Sequence, residues 1–122
     1  MTVIGRLSGI ALECRDPAAL AAFYSALTGW PIVYADAEWY SVGTDADAEF
    51  HLSFQLAPEH HPPTWPDPTS SMQCHLHLRV DDIGAAEEAV LALGATKFDH
   101  QPNPDHSRVF ADPSGHPFCL CT

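Results

Sequence analysis

Residues 9–16 and 75–82 of this chain are two versions of one pattern, and that repeat constrains the fold more than any other feature. Gly9-Ile10-Ala11-Leu12-Glu13-Cys14-Arg15-Asp16 alternates apolar and other side chains and then meets a helix start. His75-Leu76-His77-Leu78-Arg79-Val80-Asp81-Asp82 does the same. An alanine-rich helical stretch follows each, stopping near Gly29 in the first half and near Gly94 in the second. The closing segments keep one register, because Leu52-Ser53-Phe54-Gln55 stands to Gly9 as Phe118-Cys119-Leu120-Cys121 stands to His75. The reading is an α+β fold: two tandem βαβββ modules forming a curved, barrel-like mixed sheet with the helices on its outer face. Module 1 covers 5–57, a proline-rich linker 58–72 and module 2 73–122, within a single domain of 122 residues.

Local chemistry supports this division. Asp16-Pro17 offers an N-cap acceptor followed by a proline in the first helical turn, where its missing N–H costs nothing. Leu20, Phe23, Tyr24 and Leu27 then recur at helical spacing. The second helix is expected after Asp82, with Ile83, Ala86, Val90 and Leu93 as its apolar stripe. Shorter extended pieces are expected at 31–36 and 38–43, then at 96–101 and 107–111. Pro58, Pro62, Pro63, Pro66 and Pro68 deny regular structure to the connection between the halves. His60 and His61 in that loop read as solvent-exposed residues, and Trp65 as a cover for either the cavity mouth or exposed core.

Strand side chains alternate, so each strand has two assigned faces. Ile10, Leu12, Cys14, Leu52, Phe54 and Leu56 pack under the first helix; Leu76, Leu78, Val80, Phe118 and Leu120 pack under the second. The opposite, helix-free face carries Glu13, His51, Ser53, Gln55, His75, His77, Arg79, Cys119 and Cys121, which are the candidate ligand-binding residues. Glu13 and Arg79 hold equivalent places in the two halves, and an ion pair between them is one expectation. Glu13 and His77 are the candidate general bases.

Five basic residues against sixteen acidic ones give a net charge of −11. Such a surface repels phosphate backbones and anionic lipid, which argues against nucleic-acid and membrane partners. No run approaches the ~20 apolar residues of a membrane span, and the first residues lack the apolar core of a signal peptide, so a cytoplasmic location is expected. Cys14, Cys74, Cys119 and Cys121 form no Cys-x-x-Cys pair. Reduced thiols are expected.

The duplicated plan, the stretch Asp-Pro-Ala-Ala-Leu-Ala-Ala-Phe-Tyr-Ser-Ala-Leu-Thr-Gly-Trp (16–30) and Asp112-Pro113-Ser114-Gly115-His116 resemble the vicinal oxygen chelate superfamily of glyoxalases, bleomycin-resistance proteins and extradiol dioxygenases. The resemblance covers nearly the whole chain and is nearest to the small glyoxalase-like domain proteins. It implies a divalent metal held at the start of each half's first strand and in each half's last strand. Those positions are Gly9, Ser53, His75 and Cys119, of which His75 alone is a typical ligand. The family's metal site is therefore expected to be absent, and no cofactor is expected. If a metal binds, His75 with His51, His77 or Cys119 would hold it. Residues two apart on a strand are ~6.5 Å apart, which is far for shared ligation but within the reach of long imidazoles.

The leading expectation is a protein that binds a small molecule without metal, with Trp30, Trp39, Tyr40 and Trp65 as stacking surfaces. The alternative is a metal-dependent lyase, isomerase or dioxygenase acting on vicinal oxygens through a shifted His/Cys site. Edge-to-edge sheet pairing makes a homodimer the expected assembly.

Overall fold

The computed structural model describes residues 3–122, and the chain divides into two units, 1–60 and 61–122. In the first, β1 (Gly9–Cys14) leads into α1 (Pro17–Thr28), then β2 (Ile32–Ala35), β3 (Trp39–Val42) and β4 (His51–Leu56). In the second, β5 (Leu76–Arg79) leads into α2 (Ile83–Ala92), then β6 (Thr96–Lys97), β7 (Ser107–Ala111) and β8 (Pro117–Cys121). The strand order is β1-β4-β3-β2 in one sheet and β5-β8-β7-β6 in the other. The α+β class and the βαβββ repeat are as expected. Hydrogen bonding gives two open four-stranded mixed sheets, where one continuous barrel-like sheet was expected.

Each first strand pairs parallel with its own unit's last strand. Gly9 lies opposite His51 and Ala11 opposite Ser53; His77 lies opposite Cys119 and Arg79 opposite Cys121. The crossover that a parallel pair needs is supplied by the helix and the two intervening strands.

Helix α1 begins where Asp16 accepts a hydrogen bond from the Ala19 N–H at 3.1 Å, with Pro17 in the first turn. It ends at Gly29, whose left-handed φ of 76° lets its N–H donate to the Ser25 carbonyl at 2.9 Å. Leu20, Ala21, Phe23 and Tyr24 are buried on its inner face, and the Tyr24 ring stacks on Phe54 of β4 at 5.5 Å. Each large side chain so buried contributes about 1.5–3 kcal/mol. Helix α2 is capped by Asp82 through the Ala85 N–H. Leu93 is 40% exposed and caps the helix instead of extending its apolar stripe, because the chain turns away at Gly94 with φ 109°. Glu87 of α2 receives Lys97 at 2.9 Å and Arg108 at 3.3 Å, tying the helix to β6 and β7.

Strand β6 is much shorter than the 96–101 stretch expected. A side chain replaces the backbone there: the Gln101 amide donates to the carbonyls of Phe98 and Val109, and its oxygen accepts from the Val109 N–H. Asp112 of the Asp-Pro-Ser-Gly-His motif is buried and accepts from the N–H groups of Ser114 and His116, closing the turn into β8. Trp65 packs edge-on against Phe98 and beside His100.

Candidate functional site

The helix-free row of the first unit opens on a cavity of about 400 Å³ lined by Ser8, Gly9, Ile10, Ala11, Trp39, Ser41, His51 and Ser53. Trp39 and Ser41 are two apart on β3 and so share a face, and Ser41 lies opposite Ser53 in register. The Trp39 indole Nε1–H donates to Ser41 Oγ at 2.9 Å, and Ser41 Oγ is 2.8 Å from Ser53 Oγ. His51 lies half-buried at the cavity edge, with Nε2 3.4 Å from the Asp45 carbonyl and its ring over Gly43. This lining has no carboxylate, lysine or arginine: it presents three serine hydroxyls, one imidazole, one indole and the apolar Ile10 and Ala11.

Gly9 explains why the first unit offers so little to a metal. A Cβ built there would lie 2.5 Å from the His51 carbonyl oxygen, closer than real side chains come to backbone. Strands β1 and β4 thus approach too closely for any ligand at position 9. Ser53, the other implied position in this unit, is buried and already hydrogen-bonded to Ser41. Neither residue fits the oxygen- and nitrogen-rich donor set of a hard dication.

The second unit is different. His75 Nε2 and His77 Nε2 are 2.8 Å apart with ring centroids at 4.6 Å, and their ligand atoms lie within 4.8 Å of the Cys119 sulfur. These three residues could hold a metal ion. The strand spacing is far for shared ligation, and the long imidazoles of His75 and His77 close that gap. His77 Nδ1 is also 3.5 Å from Cys121 Sγ, which is 3.7 Å from Ser107 Oγ. The imidazoles are exposed, whereas Cys119 is 4% exposed. Burial raises the Cys119 thiol pKa against an opposing Ser107 hydroxyl.

Partial desolvation of the otherwise exposed imidazole, helped by the neighbouring His77, lowers the His75 pKa below its ordinary 6.5. The unfolded chain therefore takes up a proton just below pH 6.5 while the folded chain does not, so stability falls as pH drops through that window. The urea midpoint of chelator-treated protein is expected to fall on acidification from about pH 7 to about pH 5, with a shallower fall in His75→Gln.

The other expected site residues lie apart from these two groups. Glu13 and Gln55 are exposed and opposite one another at the far end of the β1–β4 pair, outside the cavity lining. Arg79 is exposed at the end of β5. Of the four aromatics expected to stack on a ligand, Trp39 lines the cavity; Tyr40 follows it on β3, so its side chain points to the opposite face, and Trp30 and Trp65 are not in the lining. Ser8 and Ser41 were missed by sequence reasoning, although the Trp39-Tyr40-Ser41 alternation carried the signal for Ser41.

Among the described residues no helix is long and apolar enough to cross a membrane. No curated protein matches the chain. Several solved structures share its fold. Fosfomycin resistance protein FosX from Mesorhizobium loti is 18% identical with a TM-score of 0.71, covering 99% of this chain and 93% of that one. FosX from Listeria monocytogenes, solved as a mutant with Mn(II) and 1S,2S-dihydroxypropylphosphonic acid, is 18% identical with a TM-score of 0.72, covering 98% and 93%. The bleomycin resistance determinant encoded on transposon Tn5 is 24% identical with a TM-score of 0.57, covering 97% and 98%. The profile of the glyoxalase-like domain matches residues 9–121, and the chain belongs to that family.

Proposed function

We propose that the protein binds a small polar molecule carrying an aromatic ring, as its bleomycin-resistance-like fold allows, in the cavity beneath Trp39. The observation that carries this reading is the hydroxyl chain from Trp39 Nε1 through Ser41 to Ser53 at the wall of the 400 Å³ cavity. A cavity of that size suits a ligand of ordinary metabolite or drug-fragment dimensions. With the indole donating to Ser41 and one serine donating to the other, one hydroxyl proton of the Ser41–Ser53 pair is left for an acceptor on the ligand. The indole face supplies stacking, and the net charge of −11 draws cationic ligands toward the surface. The alternative, a lyase, isomerase or dioxygenase using a Lewis acid, has less support in this cavity, because Gly9 and Ser53 offer no ligand for one.

The test is a fluorescence titration of the purified chain with hydroxylated aromatic amines, tyramine first, and with bleomycin. Saturable quenching is expected for at least one of these, abolished by Trp39→Phe and weakened about tenfold by Ser53→Ala through the lost hydrogen bond. No saturable binding by any of these probes, or quenching that survives Trp39→Phe, would count against the reading.

A further inference from the structure

We infer that the second unit carries a self-contained thiophilic metal site of His75, His77 and Cys119, suited to zinc(II) and not to manganese or magnesium. Two of these residues occupy positions where the family resemblance implies ligands; His77 does not. The two partner positions in the first unit cannot contribute, for the steric and hydrogen-bonding reasons given above. What remains is one set of donors, His75 just ahead of β5, His77 on β5 and Cys119 on the neighbouring β8, with His77 directly opposite Cys119 in the parallel register.

The geometry suits a tetrahedral ion. Zinc–nitrogen bonds of ~2.0–2.1 Å and zinc–sulfur bonds of ~2.3 Å place tetrahedral ligand atoms about 3.3–3.6 Å apart. The present pair at 2.8 Å and the whole group within 4.8 Å bracket that range, so small side-chain rotations seat an ion. Two imidazoles and a thiolate make three protein ligands, leaving the fourth position for water or a ligand atom. The thiolate decides the selectivity, because sulfur favours zinc and its softer neighbours while manganese and magnesium favour oxygen. Cys121 and Ser107 adjoin the set: the His77 tautomer that carries its proton on Nδ1, 3.5 Å from Cys121 Sγ, is the one whose Nε2 lone pair is open to the ion. Binding converts the Cys119 S–H to a metal-bound thiolate and releases that proton to solvent, with no change of oxidation state.

This site does not depend on the ligand cavity of the first unit, and its test leaves that reading untouched. Cobalt(II), a spectroscopic substitute for zinc, is titrated into the purified full-length chain held reduced by a phosphine. One equivalent is expected to give the intense visible bands of tetrahedral cobalt and a near-ultraviolet thiolate-to-cobalt band. Zinc(II) should displace it stoichiometrically, and manganese(II) at the same concentration should not. Cys119→Ser should remove the near-ultraviolet band, and His77→Ala should keep that band but weaken affinity at least about 100-fold, since even outer partners of a metal site contribute 10–100-fold. Cys74→Ser, at the exposed thiol that precedes His75 and is not one of the group, should change nothing. If the buried Cys119 variant fails to fold, His75→Ala and His77→Ala, both at exposed positions, carry the test. A band that persists in Cys119→Ser or disappears in Cys74→Ser, affinity unchanged in His77→Ala, equal competition by manganese, or no binding would each overturn the inference.

Discussion

Gly9→His, which installs a good ligand at a position where the family places one, is expected to lose about 3 kcal/mol of stability, the upper end of the usual overpacking cost, and to bind manganese(II) no better than the parent. The reason is the backbone. The first atom of any side chain at this position meets the His51 carbonyl oxygen at 2.5 Å, before an imidazole can be placed. That oxygen belongs to the parallel partner strand and cannot swing aside as a flexible side chain would. Gly9→Ala should therefore lose nearly as much as Gly9→His, since the collision begins at Cβ. Urea denaturation of the three proteins measures this, and electron paramagnetic resonance of free manganese measures binding. An alanine variant within about 0.5 kcal/mol of the parent, the range of an ordinary surface substitution, would show that the strands can separate to admit a side chain.

Phe54→Ala is expected to cost about 3–5 kcal/mol, the usual range for deleting a fully buried aromatic. Phe54 has no exposed surface, lies between Leu12 and Tyr40 in register, and stacks on Tyr24 of α1 at 5.5 Å. Its loss removes a ring contact between helix and sheet, beside the strand position that carries Ser53. A domain of this size typically has only 5–15 kcal/mol in total. At roughly 3–6 °C of melting temperature per kcal/mol for a chain of this length, the midpoint should drop by about 9–30 °C. Calorimetry checks this; a drop of only a few degrees would mean that the helix is held mainly by other contacts.

The elements that the sequence made readable are those governed by local rules. Asp16-Pro17 and Gly29 set the ends of α1, Asp82 sets the start of α2, and period-2 alternation separates Leu76 and Leu78, which are half-buried, from His77 and Arg79, which are exposed. The repeat announced that the two halves share one plan, and the structure gives both the same pairing, β1 parallel with β4 and β5 parallel with β8. What could not be read depended on distances across strands. Nothing in the letters 9–16 reveals that β1 lies too close to β4 for a side chain at Gly9. Strand spacing alone argued against His75 and His77 meeting, yet side-chain torsions bring their nitrogens to 2.8 Å. Gln101 likewise gave no sign that its amide would stand in for strand backbone beside Val109. Ser53 was recognisable as a poor metal ligand, but its link through Ser41 to Trp39 required three-dimensional register.

The account rests on an organic ligand being held by hydroxyls and an indole, without assistance from a metal. Its most direct test is to compare the dissociation constant of the tightest probe for chelator-stripped and zinc-loaded protein, with metal content verified by elemental analysis. Equal constants in the two preparations are predicted. Binding that disappears when the metal is removed, and returns when it is restored, would contradict the account.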